Sequence, residues 1–238
     1  MTKRRIAAAL ALCVMAMPLY TMQYGLWRFN TPDGLPHALA EQCLNAAREG
    51  HSRLSEYFPV LNSIPITFVL LKGRLADRGS PYAGGYYFPA TRSLVVQHVP
   101  LLLEQGRLHS IIAHELVHAA LAGLGRHPLP LWLEEGCAVY FSGEHIDVPP
   151  LTVPRPASLA ELDALLEAAA SHPDFDAWQA SRTYYQQARS LITYLVNRGG
   201  VHNVIAMVSA VKQGLHVDVA LNRYFGIFPE TLEARLAR

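Results

Sequence analysis

Residues 114–118 read His114-Glu115-Leu116-Val117-His118, two imidazoles four positions apart with a carboxylate beside the first. Residues four apart lie on one face of a helix, so both rings can reach a single metal ion. Glu115 stands about 100° round the helix from His114, close enough to reach a water on that metal without ligating it. Zinc in such a setting lowers the pKa of the water, and the carboxylate can take its proton to give a nucleophile aimed at a carbonyl. Around the motif run Ile111, Ile112, Ala113, Leu116, Val117, Ala119, Ala120 and Leu121. A helix that is apolar nearly all round is a buried one, and burying two imidazoles and a carboxylate without partners is costly. A metal ion removes that cost. Backbone carbonyls bonded to the two rings are the plainer alternative.

Catalytic zinc takes three protein ligands and keeps one position open. Downstream candidates for the third are His127, Glu134, Glu135, Glu144 and His145. Of these, Glu134 and Glu135 interrupt the apolar face of a second helical stretch, residues 130–142. They point about 100° apart, so one of them faces inward. Gly136 would let a neighbouring helix approach closely at that point, which favours Glu135 and leaves Glu134 open.

The elements that must position these groups follow from periodicity and punctuation. Apolar spacing predicts a helix over residues 37–58, and a β-branched and aromatic run predicts a buried strand over 64–71. A strand pair is expected at 84–88 and 93–98, with a turn between. From residue 100 onward the pattern turns helical. Helices are expected at 108–124, 130–142, 158–170, 184–198, 201–213, 217–225 and 229–236, with a Pro-rich loop at 148–156. Ser158 and Glu161 have capping-box spacing at one of these starts. Strands early and helices late predict an α+β domain, a small mixed sheet with helices followed by a mainly helical part.

The motif and its sequel resemble a known group. His114-Glu-x-x-His118 followed by Trp132-Leu-x-Glu135-Gly-x-Ala looks like the gluzincin clan, and most like the compact peptidase-MA-like proteins, over roughly residues 37–236. The resemblance implies a zincin-like fold, one Zn2+ per chain and hydrolysis of peptide bonds. It also implies that Glu135, the Glu before Gly, is the third zinc ligand. Tyr82-Ala-Gly-Gly-Tyr-Tyr87 resembles the family's Gly-rich edge strand, and Tyr185-Gln-Gln-Ala-x-Ser-Leu-Ile-x-Tyr-Leu195 its downstream Tyr-initiated helix. The metzincin pattern fails, because it requires Gly at 121 and His at 124 and both are Leu. Sixteen residues separate His118 from Glu135, slightly fewer than in the larger aminopeptidases. Their G-x-M-E-N segment is not apparent, so the resemblance implies an endopeptidase rather than an aminopeptidase.

Further expectations attach to single residues. Gly84 and Gly85 would let a substrate backbone pair with an edge strand; a bulge or tight turn explains them equally well. Tyr185 could donate a hydrogen bond to the oxyanion at the scissile carbonyl, or simply open a helix. Asp163, Asp174 and Asp176 could orient a ligating histidine, and no spacing singles one out. Trp132 reads as core.

The chain's ends and composition set the remaining bounds. Charged residues make up 16% of the 238 and the formal net charge is +1, with no long basic run after residue 5. That gives no footing for nucleic acid. Residues 1–5 carry Lys3, Arg4 and Arg5, and an apolar run follows from Ile6 to Tyr20, weakening through Trp27. This reads as a cleaved secretory signal or an uncleaved membrane anchor facing the domain outward, with 1–30 as that segment plus its linker and 31–238 as the catalytic domain. Exported, the chain would meet peptide or protein substrates outside the cytoplasm, and Cys43 and Cys137 could pair there or stay as buried thiols. The rival to a peptidase is a catalytically silent zinc-binding protein used for partner binding or assembly.

Overall fold

A computed structural model describes residues 21–75, 83–144, 155–169 and 175–236, without the side chains of 175–177 and 181. The N-terminal apolar run through Tyr20, Tyr82, His145, Asp174 and most of the Pro-rich 148–156 stretch lie outside the described residues. Contacts divide the chain into two compact units, with the division between Ala119 and Ala120 inside one continuous helix.

The first unit opens with a hairpin, β1 (Thr21–Tyr24) and β2 (Trp27–Asn30), paired antiparallel with Tyr24 opposite Trp27. Its two-residue turn places Gly25 at φ 56°, the left-handed conformation that a tight hairpin turn asks of glycine. Then come helix α1 (His37–Leu54), a 3-10 turn at Pro59–Asn62, and strands β3 (Thr67–Leu70), β4 (Gly85–Phe88) and β5 (Ser93–Val96). Helix α2 (Val99–Glu104) and helix α3 (Leu108–Gly123) follow. The five strands form one mixed sheet in the order β1-β2-β3-β5-β4, with β2, β3 and β5 parallel and the two edge strands antiparallel. Central β5 is buried at every position, as its unbroken Leu-Val-Val run requires of a parallel strand covered on both faces.

The hairpin corrects the expectation for residues 21–30. They are neither the tail of an apolar span nor a linker. Trp27 and Phe29 are buried; Phe29 stacks on Phe68 at 4.2 Å between ring centroids, and the Trp27 indole N–H donates to the Ile64 carbonyl at 3.0 Å. Among the described residues no helix is long and apolar enough to cross a membrane.

The second unit, after the end of α3, is helical among its described residues: α4 (Leu131–Ser142), α5 (Leu159–Ala169), α6 (Phe175–Gly199), α7 (Val201–Lys212), α8 (Val217–Phe225) and α9 (Pro229–Leu236). The capping box at the start of α5 is formed: the Glu161 amide donates to Ser158 Oγ at 3.1 Å, and Glu161 Oε2 accepts from the Ala157 amide at 2.7 Å. Helix α6 begins nine residues before the position expected from Tyr184, because residues 175–183 carry no regular apolar repeat to announce it. All five strands fall in the first unit and most helices follow them, so the fold class is α+β.

One buried polar side chain fixes the start of β4. Gln97 is fully buried; its Oε1 accepts from the Leu75 amide at 2.9 Å, its Nε2 donates to the Ala83 carbonyl, and its own amide donates to the Gly84 carbonyl at 2.9 Å. Replacing the amide by a hydrocarbon strands a buried N–H and a buried C=O. Gln97→Leu is expected to lower stability by about 2–4 kcal/mol, read as a shift of the urea midpoint with the slope unchanged; a shift within error would mean these backbone groups find other partners.

Candidate metal centre

Helix α3 has its faces assigned by what packs on them in the first unit. Ala113 and Leu116 face α1, where a β-carbon added at Gly50 would lie 3.2 Å from Leu116 Cδ1 and 3.7 Å from Ala113 Cβ. Ile111 and Glu115, one turn apart, face β4. A β-carbon at Gly84 would lie 3.0 Å from Ile111 Cγ1; one at Gly85 would lie 2.8 Å from Glu115 Cγ, 3.1 Å from its Oε1 and 3.1 Å from the Val95 carbonyl oxygen. Both glycines are thus needed for the helix to lie against the edge strand. The apolar girdle expected from the sequence is buried throughout.

The remaining face carries His114 and His118. Their Nε2 atoms stand 3.1 Å apart, with ring centroids 4.9 Å apart. Two nitrogens each about 2.0–2.1 Å from one zinc at a tetrahedral angle would be separated by roughly 3.3 Å. The pair therefore fits a shared tetrahedral ion with almost no movement. Glu115, 6% exposed, sits with its carboxylate beside Gly85, about 100° round the helix from His114.

Glu135 belongs to α4. Among the described residues, His114, His118 and Glu135 are the set of side chains able to hold a metal ion. Two imidazoles and a carboxylate are a donor set that zinc accepts while keeping an open position. Glu134 has a different neighbourhood. Its charge raises the Cys137 thiol, and it partly offsets the burial that lowers the Lys212 ammonium. Of the other candidates, His127 is exposed in the α3–α4 loop, its amide donating to the Lys212 carbonyl at 3.2 Å. Glu144 is buried with its amide on Ser142 Oγ. Neither joins the ligand group.

The expectation for Gly136 holds. Within the second unit a β-carbon there would lie 2.7 Å from the Ala188 carbonyl oxygen and 2.8 Å from Ile192 Cγ1 of α6, so α6 approaches α4 at backbone contact one residue from Glu135. Tyr185 lies mid-helix in α6, not at its start, on the side it shares with Ala188 and Ile192. Cys43 and Cys137 are both free and buried; burial pushes the Cys43 thiol up to about 12 and Cys137 higher, so both are held as unreactive thiols.

Two positions have roles that the sequence did not show. Gln97 sets the edge strand, as described above. Asp163 orients no histidine in this structure; its Oδ1 accepts from the Trp132 backbone amide at 2.6 Å. An acidic residue in an amphipathic helix carries no local sign of such a partner.

The chain belongs to the Peptidase MA superfamily, whose sequence pattern matches residues 71–237. Curated proteins give no match. Membership makes this a peptidase-type enzyme at the level of the superfamily, whose members are usually zinc-dependent.

The clearance at Gly85 can be checked directly. The Val95 carbonyl on one side is backbone and cannot give way, so a methyl at 85 must displace Glu115. Gly85→Ala is expected to cost about 1–3 kcal/mol of stability and to leave zinc uptake intact, since neither histidine faces β4. Equilibrium denaturation and metal titration of the purified chain would show this; an unchanged stability would mean that β4 and α3 separate freely.

Proposed function

We propose that this chain is a zinc-dependent endopeptidase, with His114, His118 and Glu135 as metal ligands and Glu115 as the general base. The observation that carries the reading is the 3.1 Å convergence of the two Nε2 atoms with Glu115 buried on the adjoining face. A zinc ion held by these three residues supplies a Lewis acid for the scissile carbonyl and lowers the pKa of a water at its open position. The chain's own groups do the rest. The Glu115 carboxylate takes a proton from the attacking water and passes it to the nitrogen of the leaving amine. The carboxylate lies close against Gly85 and is buried, so it needs little reorganisation as the proton moves.

An extended peptide is the substrate this arrangement favours. Among the described residues strand β4 is an edge of the sheet, paired with β5, and its outer side would offer backbone groups to a substrate strand beside Gly84 and Gly85. Tyr185 is proposed as the hydrogen-bond donor to the oxyanion. Residues 83–90 contain no Asp or Glu, so β4 has no carboxylate for a free amino terminus, which supports endopeptidase over aminopeptidase action. A catalytically silent zinc protein would have no use for a base, and the close fit of Glu115 against Gly85 argues for its retention as one.

We also propose that the chain is exported. Residues 6–20 number fifteen and as a helix would reach about 22 Å. That matches the apolar core of a secretory signal better than a bilayer of roughly 30 Å, since the hairpin takes the residues that a longer span would need.

Two measurements test this function. The parent chain is expected to hold about one zinc and to cleave unfolded protein, and Glu115→Gln to keep the metal while losing about 10²–10⁴ in kcat; equal cleavage by both removes Glu115 as the base. The amino terminus of the mature protein is expected between residues 15 and 21 in the extracytoplasmic fraction. An intact Met1 in the cytoplasm would rule out export.

A further inference from the structure

The first turn of α4 needs something that α4 does not supply. Its N-cap is Pro130, which makes no side-chain capping bond. The Leu133 and Glu134 amides turn back to the Pro130 carbonyl, at 3.1 and 3.0 Å. The Leu131 and Trp132 amides are left over, the unsatisfied donors that every helix start presents.

Asp163 takes them. It projects from α5, and its carboxylate accepts from the Trp132 amide at 2.6 Å and from that of Leu131. Charged acceptors at a helix N-terminus make short, strong bonds and are favoured by the helix dipole. The capping acceptor thus comes from 31 residues away in sequence, and its own helix is anchored. The Ser158–Glu161 box closes the start of α5, Glu233 Oε1 from α9 accepts the Leu159 amide at 3.1 Å, and Leu162 and Leu166 are buried.

Glu135 stands one turn beyond Leu131 on the same face of α4. On its other side, Gly136 meets the Ala188 carbonyl of α6. Asp163 stops the helix from sliding or fraying at its start, and Gly136 fixes its distance from α6. Glu135 sits between the two fixed points.

We infer that Asp163 is a positioning residue for the metal centre, holding the Glu135 carboxylate in register through the first turn of α4. The inference rests on the zinc reading above. A carboxylate free to move with a fraying helix end would pay ordering entropy on binding the ion; one already held does not. Burial pushes the Asp163 carboxyl above its ordinary range, and the two amide bonds only partly offset this. An uncharged acceptor of the same shape should serve.

The test is zinc affinity of the full chain by competition with a chromogenic chelator, for Asp163→Ala, Asp163→Asn and Leu166→Ala. Measurements are made well below the lowest melting temperature of the set, so that every variant is folded and stability does not enter the apparent constant. Asp163→Ala is expected to lose about 10–100-fold in zinc affinity. Asp163→Asn, which keeps the acceptor, should stay within about threefold of the parent. Leu166→Ala leaves a cavity in the same helix without touching the α4 amides, and should lower the melting temperature with affinity within about threefold.

Equal affinities for parent and Asp163→Ala overturn the inference, as do equal losses in Asp163→Ala and Leu166→Ala. If Asp163→Ala does not fold, Asp163→Ser replaces it: its hydroxyl is too short to reach both amides, and it should fall below Asp163→Asn by a similar factor. Parity of Ser and Asn would again overturn the idea. A parent chain without zinc affinity sinks the zinc reading itself and this inference with it, an outcome distinct from a zinc-binding parent indifferent to residue 163.

Discussion

Everything at the candidate centre depends on how closely α3 lies against β4. At the start of β4, Gly85 accepts Glu115 at a distance that a β-carbon would not tolerate, while Gly84 takes Ile111, and Gly50 on the α1 side takes Leu116, at separations where a β-carbon would be tight. A helix held on two faces cannot roll, so the direction in which its third face points is set by packing rather than by the histidines. On that face the two imidazole Nε2 atoms meet at 3.1 Å. The proposed base is set by the same contact, because the carboxylate that fills the space at Gly85 is Glu115 itself. Packing and the proposed proton transfer share one side chain.

Glu135 is positioned by different means, suited to its different surroundings. Helix α4 is short, twelve residues, and a short helix is easily displaced at its ends. Its orientation comes from two contacts within the helical unit: Asp163 on its first amides and the Ala188 carbonyl against Gly136. One is polar and directional; the other is steric. Glu134, one position earlier, meets neither of these and is coupled to Lys212 and Cys137 instead. Adjacent acids of the same chemistry are separated in role by about 100° of helix.

Much of this was legible in the sequence because it is local. The His-Glu-x-x-His spacing, the apolar girdle from Ile111 to Leu121, Gly136 beside Glu135 and the Ser158–Glu161 box are all patterns within one turn or two, and the structure builds each as expected. Most later helices were found to within a residue or two. The misses are non-local. Thr21–Tyr24 and Trp27–Asn30 look like the fading end of an apolar run until β3, nearly forty residues on, is seen to lie parallel to β2. Asp163 was one of three aspartates with no reason to prefer it, since its partner is a pair of backbone amides that leave no mark on side-chain composition. Gln97 was not singled out at all: it fell inside the strand expected at 93–98, and nothing local marks the backbone groups at Leu75 and Ala83 that its side chain binds.

The Gln97 amide has a consequence for how this scaffold can change. It ties Leu75 and Ala83 to one side chain, so both ends of the connection between them are anchored independently of what that connection contains. Lengthening a closed loop costs little, about 0.6 kcal/mol for each doubling. Evolution, or a designer, can therefore insert or exchange residues between 75 and 83 without changing the register of β4 or the clearance at Gly85. The groups proposed to react would stay fixed while this connection is rewritten, which makes it a natural place for related chains to diverge.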